Sequence, residues 1–254
     1  MKCVRFEDKR TGRICIGYID GNIVRRVQGS LQTFWQITDD TYAMNEIRLL
    51  APCVPTQIIC VSFNYRKHAQ ACGAKIPQEP SIFAKAAHTV IGTGENIIWP
   101  EQVEELAYGA ELGIVIKKKM KNVEPKDVHK YILGYTCAND ITARDLQKKE
   151  RQWLRCKSFD TFCPLGPWLE TDLDPTELQI KLWLNGELKQ DANTKDMIYN
   201  PYEILSYISK SFTLDAGDLI LTGTPVGAGL MGEGDEVTVE IEGIGKITNR
   251  VVRN

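Results

Sequence analysis

The chain has 254 residues, 43% of them hydrophobic and 25% charged, with a formal net charge of −2. That length can bury one large β-rich domain with or without a small appendage, and the near-neutral balance gives no electrostatic reason to expect nucleic acid. No run approaches the roughly 20 apolar residues of a membrane helix, and residues 1–7 read as a strand, not an apolar leader, so a cytoplasmic protein with no membrane partner is expected.

In chain order, residues 2–7, 13–19 and 22–27 are short strand-like runs, with Asp20-Gly21 as a hairpin turn between the last two. Residues 33–45 are expected to hold one short helix. Cys53-Val54-Pro55 reads as a linker, which divides the chain into a small N-terminal β unit (1–53) and a main body (54–254). The main body is rich in strand signals: buried apolar runs at 58–63 and 112–116, and an alternating run at 180–184. The last enters an Asn185-Gly186 turn, followed by strands at 187–190, 218–221 and 236–241. Helices are expected at 125–130, 142–154 and 201–209, where Ile204, Leu205 and Ile208 share one face. This pattern predicts a mostly β fold with some α, a mixed β-sandwich or β-roll with helices at its edge.

Residues 65–80 have no clean period and carry Arg66, Lys67, His68, Gly73 and Lys75, so they are expected to form a long loop of the lid kind. The eight cysteines form no C-x-x-C pair. They read as reduced thiols, mostly small buried hydrophobes.

Three runs can carry chemistry. From Gly134 to Gln147 an apolar strand ends in Asn139-Asp140 and a helix begins near Thr142. Asp140 is there either a helix cap or a functional carboxylate, while Arg144 and Gln147 lie three apart on one helix face. From Arg155 to Trp168, Lys157 sits among aromatic and apolar neighbours, which suits an anionic partner or a snorkelling side chain. From Leu221 to Gly229, a Gly- and Thr-rich turn after a strand offers backbone N–H groups and the Thr224 hydroxyl to a carboxylate.

Taken together these runs resemble the fumarylacetoacetate hydrolase family over roughly residues 57–252. Further motifs carry the resemblance: Asn64-Tyr65-x-x-His68, Lys85, Glu111-Leu112, Lys157-Ser158-Phe159-Asp160, and Asn193-Thr194 with Met197. The resemblance implies a β-roll enzyme, commonly a homodimer, acting on a small carboxylic acid with Mg²⁺ or Mn²⁺ held by carboxylates. By similarity, Glu111 and Asp140 would be metal ligands, His68 and Lys157 catalytic groups, and Tyr65, Arg144, Gln147 and Thr224 substrate-binding groups.

The sequence departs from that pattern twice. Relatives commonly present Glu-x-Glu with both side chains on one strand face, and the first place here is Gly109, which implies weak metal binding. Relatives also often carry a Glu three residues after the lid histidine, where this chain has Ala71, so His68 lacks that partner for general-base work. Both changes turn the expectation from plain C–C hydrolysis towards the isomerase/decarboxylase branch of aromatic-acid degradation, acting on a 2-oxo or 2-hydroxymuconate-type acid. The alternatives are an acylpyruvate-type C–C hydrolase, an oxaloacetate decarboxylase or tautomerase, and a catalytically silent subunit paired with an active paralogue.

Overall fold

The computed structural model describes residues 1–253. Two sheets face each other across the main core. In the larger sheet the strands run in the order Trp35–Ala43, Ile23–Gly29, Ile14–Asp20, Lys2–Asp8, Cys163–Glu170, Ile132–Asn139, Ala110–Ile116, Leu219–Leu221, Ile58–Ser62 and Ser81–Lys85. The smaller has five strands: Glu187–Asn193, Gln179–Leu184, Glu236–Ile241, Gly245–Arg253 and Ile97–Trp99. Leu112, Ile114 and Ile116 of the larger sheet share one core with Ile180, Leu182, Val239 and Ile247 of the smaller. The opposite face of the larger sheet buries Val115, Ala138, Leu165, Leu219 and Ile58. Strands covered on both faces have no solvent side, and so Ala110–Ile116 and Ile58–Ser62 are buried at every position, and residues 112–116 and 58–61 carry no polar side chain.

The N-terminal strands extend the same sheet: Lys2–Asp8 pairs antiparallel with Cys163–Glu170. The expected helix over 33–45 is instead the strand Trp35–Ala43 followed by a 3-10 turn, Met44–Glu46. Trp35, Ile37, Thr38, Thr41 and Tyr42 are strand formers, and Tyr42 pairs with Val24 while its ring meets Phe6 edge-on at 5.1 Å. The first hairpin turn lies one residue later than expected, at Gly21-Asn22, because Asp20 and Ile23 are already paired. At Asn185-Gly186 both φ angles are positive, 52° and 79°, as the tight right-twisting turn requires.

Four α-helices are present among the described residues: α1 (Arg66–Ala71), α2 (Arg144–Lys149), α3 (Leu154–Lys157) and α4 (Pro201–Ser211). α4 starts where expected, runs two residues further, to Ser211, and begins with a capping box between Asn200 and Glu203. The single helix expected over 142–154 is divided: Thr142–Ala143 pairs with Leu106–Ala107, α2 follows, and the chain breaks before α3. Residues 125–131 are a 3-10 helix, not an α-helix. The 65–80 segment, expected as an irregular loop, starts with α1 and is pinned further on by the Tyr199 hydroxyl donating to Pro77 O (2.9 Å). Among the described residues no helix is long and apolar enough to cross a membrane.

Candidate active site

The ends of the central strands open on a cleft of about 410 Å³ lined by His68, Phe63, Phe83, Glu111, Asp140, Arg144, Gln147, Trp153, Lys157 and Thr224. Glu111 projects from the second position of Ala110–Ile116, and Asp140 directly follows Ile132–Asn139, the antiparallel neighbour of that strand. Sequence-distant carboxylates thereby meet at the cleft floor. Asp140 is not a helix cap: the N-cap of α2 is Ala143, with no side-chain cap bond. Both Asp140 oxygens instead accept from buried ammonium groups, Oδ1 from Lys85 Nζ (2.8 Å) and Oδ2 from Lys157 Nζ. Burial opposes its charge, but Lys157 and Lys85 outweigh burial and hold the Asp140 carboxyl below the usual carboxylate range. Glu111 goes the other way. Its burial and the nearby Asp140 charge push it well up, against Lys157 and the Gly223 N–H that donates to its Oε2 (2.6 Å).

Lys157 is therefore no snorkelling lysine. Its ammonium is buried on Asp140 and lies 4.8 Å from the centre of the Phe83 ring. Lys85, a motif residue given no role from sequence, completes the pair and also donates to Ile141 O (3.1 Å). Arg144 and Gln147 meet as the helix spacing predicts, with Nη1 to Oε1 at 2.9 Å.

The glycine-rich turn is shaped by contact. A Cβ on Gly223 would come within 2.8 Å of Asn64 Cβ, and the backbone there has φ of +97°, so only glycine presents its N–H to Glu111 in this way. Asn64 holds the surrounding segments: its Nδ2 donates to Tyr199 O (3.0 Å) and Thr222 O (2.8 Å), and its Oδ1 accepts from Tyr199 N (2.9 Å). Gln190 was not singled out from sequence. It donates to Thr224 Oγ1 (2.9 Å) and Pro225 O (2.8 Å) and accepts from Ala110 N (2.9 Å). Its one available signal was a polar residue at an inward-facing position of a strand.

His68 stacks on Phe63 with ring centres 5.9 Å apart. Burial, with the Arg144 and Lys157 charges, lowers its pKa from the ordinary 6.5, so the imidazole is neutral at pH 7. Tyr65 lies outside the cleft lining and borders a neighbouring cavity of about 400 Å³ with Lys195 and Asp196. Among the described residues, its hydroxyl is the one buried side-chain polar atom with no hydrogen-bond partner. Glu104 and Glu105 do not replace the carboxylate missing at Gly109: neither lines the cleft, and Glu105 pairs with Lys148 (2.6 Å).

A mostly β enzyme scaffold with acidic and basic groups gathered at the ends of its central strands defines the class. Residues 57–252 match the family model of the fumarylacetoacetate (FAA) hydrolase C-terminal domain, and residues 1–52 match one described as Rv2993c-like, N-terminal. The chain belongs to the fumarylacetoacetate hydrolase family. It is 40% identical over 220 residues to the oxaloacetate tautomerase Fahd2a, mitochondrial, of Rattus norvegicus, covering 82% of this chain and 70% of that protein. Among solved structures, it resembles 2-hydroxyhepta-2,4-diene-1,7-dioate isomerase from Mycobacterium marinum (37% identity, TM-score 0.93, 100% and 99% of the two chains). It also resembles 5-carboxymethyl-2-hydroxymuconate delta-isomerase from Mycobacterium smegmatis (35%, TM-score 0.94, all of both chains).

Proposed function

We propose that this chain is an enzyme, working as a homodimer, that moves a proton beside the carbonyl of a small 2-oxo acid. The reaction would be an enol–keto or double-bond isomerisation of the oxaloacetate or 2-hydroxymuconate kind, with decarboxylation as another exit from the same enolate. One observation carries the reading: Lys157 and Arg144 share one cleft with Glu111, Asp140 and Thr224, while among the described residues His68 has no carboxylate partner. Arg144, Gln147 and Thr224 would hold the substrate carboxylate. The Lys157 ammonium would face the enolate oxygen as charge develops there, and the neutral His68 imidazole would take and return the proton. Relatives named as a tautomerase and as isomerases support the same proton shift. Ala71 leaves His68 without an acid to activate water, which disfavours hydrolysis. The gathered lysines, arginine and carboxylates disfavour a silent subunit.

The donor set fits a divalent cation in part. Glu111 and Asp140 are hard oxygen ligands at one cleft floor, yet Asp140 is shared with two lysines, and the described residues contain no group of three metal-ligating side chains. Mg²⁺ or Mn²⁺ would be held by these two carboxylates, with its other positions left to water and a chelating substrate. When bound, such an ion acts as a Lewis acid on the substrate oxygens. Gly109 lines the cleft beside Glu111, and a Cβ there would sit 3.1–3.3 Å from the Thr224 side chain, so a larger residue fits only if Thr224 yields a few tenths of an ångström. Gly109→Glu is expected to raise Mg²⁺ affinity about tenfold, or ~1.4 kcal/mol. Calorimetric titration with and without oxalate checks this, and tight Mg²⁺ binding by the unaltered chain would refute it.

The assay that tests the function follows ketonisation of enol-oxaloacetate and of a 2-hydroxymuconate-type dienol by ultraviolet absorbance, with Mg²⁺ present. Acceleration of about a hundredfold or more over buffer, inhibited by oxalate, is the expected result. Cleavage of an acylpyruvate with no ketonisation would overturn it in favour of the hydrolase.

A further inference from the structure

His68 has a partner other than a carboxylate. Cys72 caps α1 one helical turn further on, and its Sγ lies 3.9 Å from His68 Nε2. Both side chains line the cleft. Cys72 is the only exposed cysteine of the eight. Burial pushes the Cys53 and Cys163 thiols up to about 12, where a thiol is inert at neutral pH.

Other side chains border this pair in the cleft. Next to it runs a strip of aromatic rings: His68 on Phe63, Phe63 edge-on to Trp153 (6.5 Å), and Trp153 edge-on to Phe83 (5.4 Å), with the Lys157 ammonium over Phe83. Phe63 has φ of +53°, a left-handed conformation uncommon for a side chain of this size. The Asn64 hydrogen bonds to Tyr199 and Thr222 hold the chain just after it. Flat rings leading to cationic groups suit a planar conjugated acid whose carboxylate lies at the Arg144 and Lys157 end.

Resting on the reading of this cleft as a 2-oxo acid site, we propose that Cys72, with His68 as its base, is a nucleophile that catalyses cis–trans isomerisation of conjugated unsaturated 2-oxo acids. The thiol proton passes to His68 Nε2 as sulfur bonds to the alkene carbon β to the ketone. The π pair moves to the ketone oxygen, giving an enolate opposite Lys157, and the former double bond becomes a single bond free to rotate. The enolate then re-forms the double bond, the C–S pair returns to sulfur, and His68 gives the proton back. No oxidant or reductant is consumed.

The test uses the full chain and cis-benzylidenepyruvate, a 2-oxo acid with one conjugated double bond, followed by absorbance as it becomes the trans isomer. Cys72→Ser and His68→Gln are each expected to slow this reaction about a hundredfold, and intact-mass and peptide analysis with excess probe should find the adduct on Cys72. Since Cys72 is exposed at a helix end, the serine variant should melt with the unaltered protein, which circular dichroism verifies. A Cys72→Ser rate equal to that of the unaltered chain, or an adduct on another residue, overturns the inference. Oxalate calorimetry separates the two readings: binding without a Cys72 effect sinks only the thiol step, and no binding sinks the 2-oxo acid site as well.

Discussion

Lys157→Met is expected to lower kcat/KM for the ketonisation reaction by about 10²–10³-fold, the range seen when a group facing a developing oxyanion is removed. Methionine keeps an unbranched apolar stem against Phe83 and takes away only the charge. The ammonium is buried between that ring and Asp140, where a neutral side chain cannot replace its charge. Asp140 keeps Lys85 on its other oxygen, and the carboxylate at the cleft floor therefore stays paired. The loss should fall mainly on kcat, because charge builds on the substrate oxygen after binding; Arg144 still attracts the acid. Steady-state kinetics of the variant, with oxalate affinity measured alongside, decides the point. A variant retaining a third of the wild-type kcat would remove Lys157 from the chemistry.

Some of this site was legible in the sequence because its groups act through local geometry. Arg144 and Gln147 meet across one helix face as their spacing requires, and Asn185-Gly186 turns because both residues accept positive φ. Asp140 at a strand end left capping and chemistry equally open, and only the arrival of two lysines from elsewhere in the chain separates them. Lys85 lies 55 residues before Asp140, and Gln190 lies 80 residues after the Ala110 N–H that it accepts from. No local period encodes such separations. Residues 33–45 misled for a related reason: a short run with scattered polar residues has weak periodicity, and its strand form is fixed by pairing with Ile23–Gly29. The late start of α2 likewise follows from Thr142–Ala143 being taken up as a strand.

Lys85→Met is expected to destabilise the fold by about 3–5 kcal/mol, the usual consequence of removing one partner of a buried ion pair. The Lys85 side chain is fully buried, and its ammonium bonds both Asp140 Oδ1 and Ile141 O. Methionine fills nearly the same volume, so little of the loss comes from a cavity. What remains is a buried carboxylate held by Lys157 alone, and a main-chain carbonyl that has lost its side-chain donor. The double variant Lys85→Met, Asp140→Asn should lose clearly less than the two single losses added together, since each single change leaves the other group uncompensated. Urea unfolding of the four proteins in the cycle measures the coupling. A loss below about 1 kcal/mol for Lys85→Met, the level of an exposed pair, would mean that water reaches Asp140 and that the cleft floor is wetter than its packing implies.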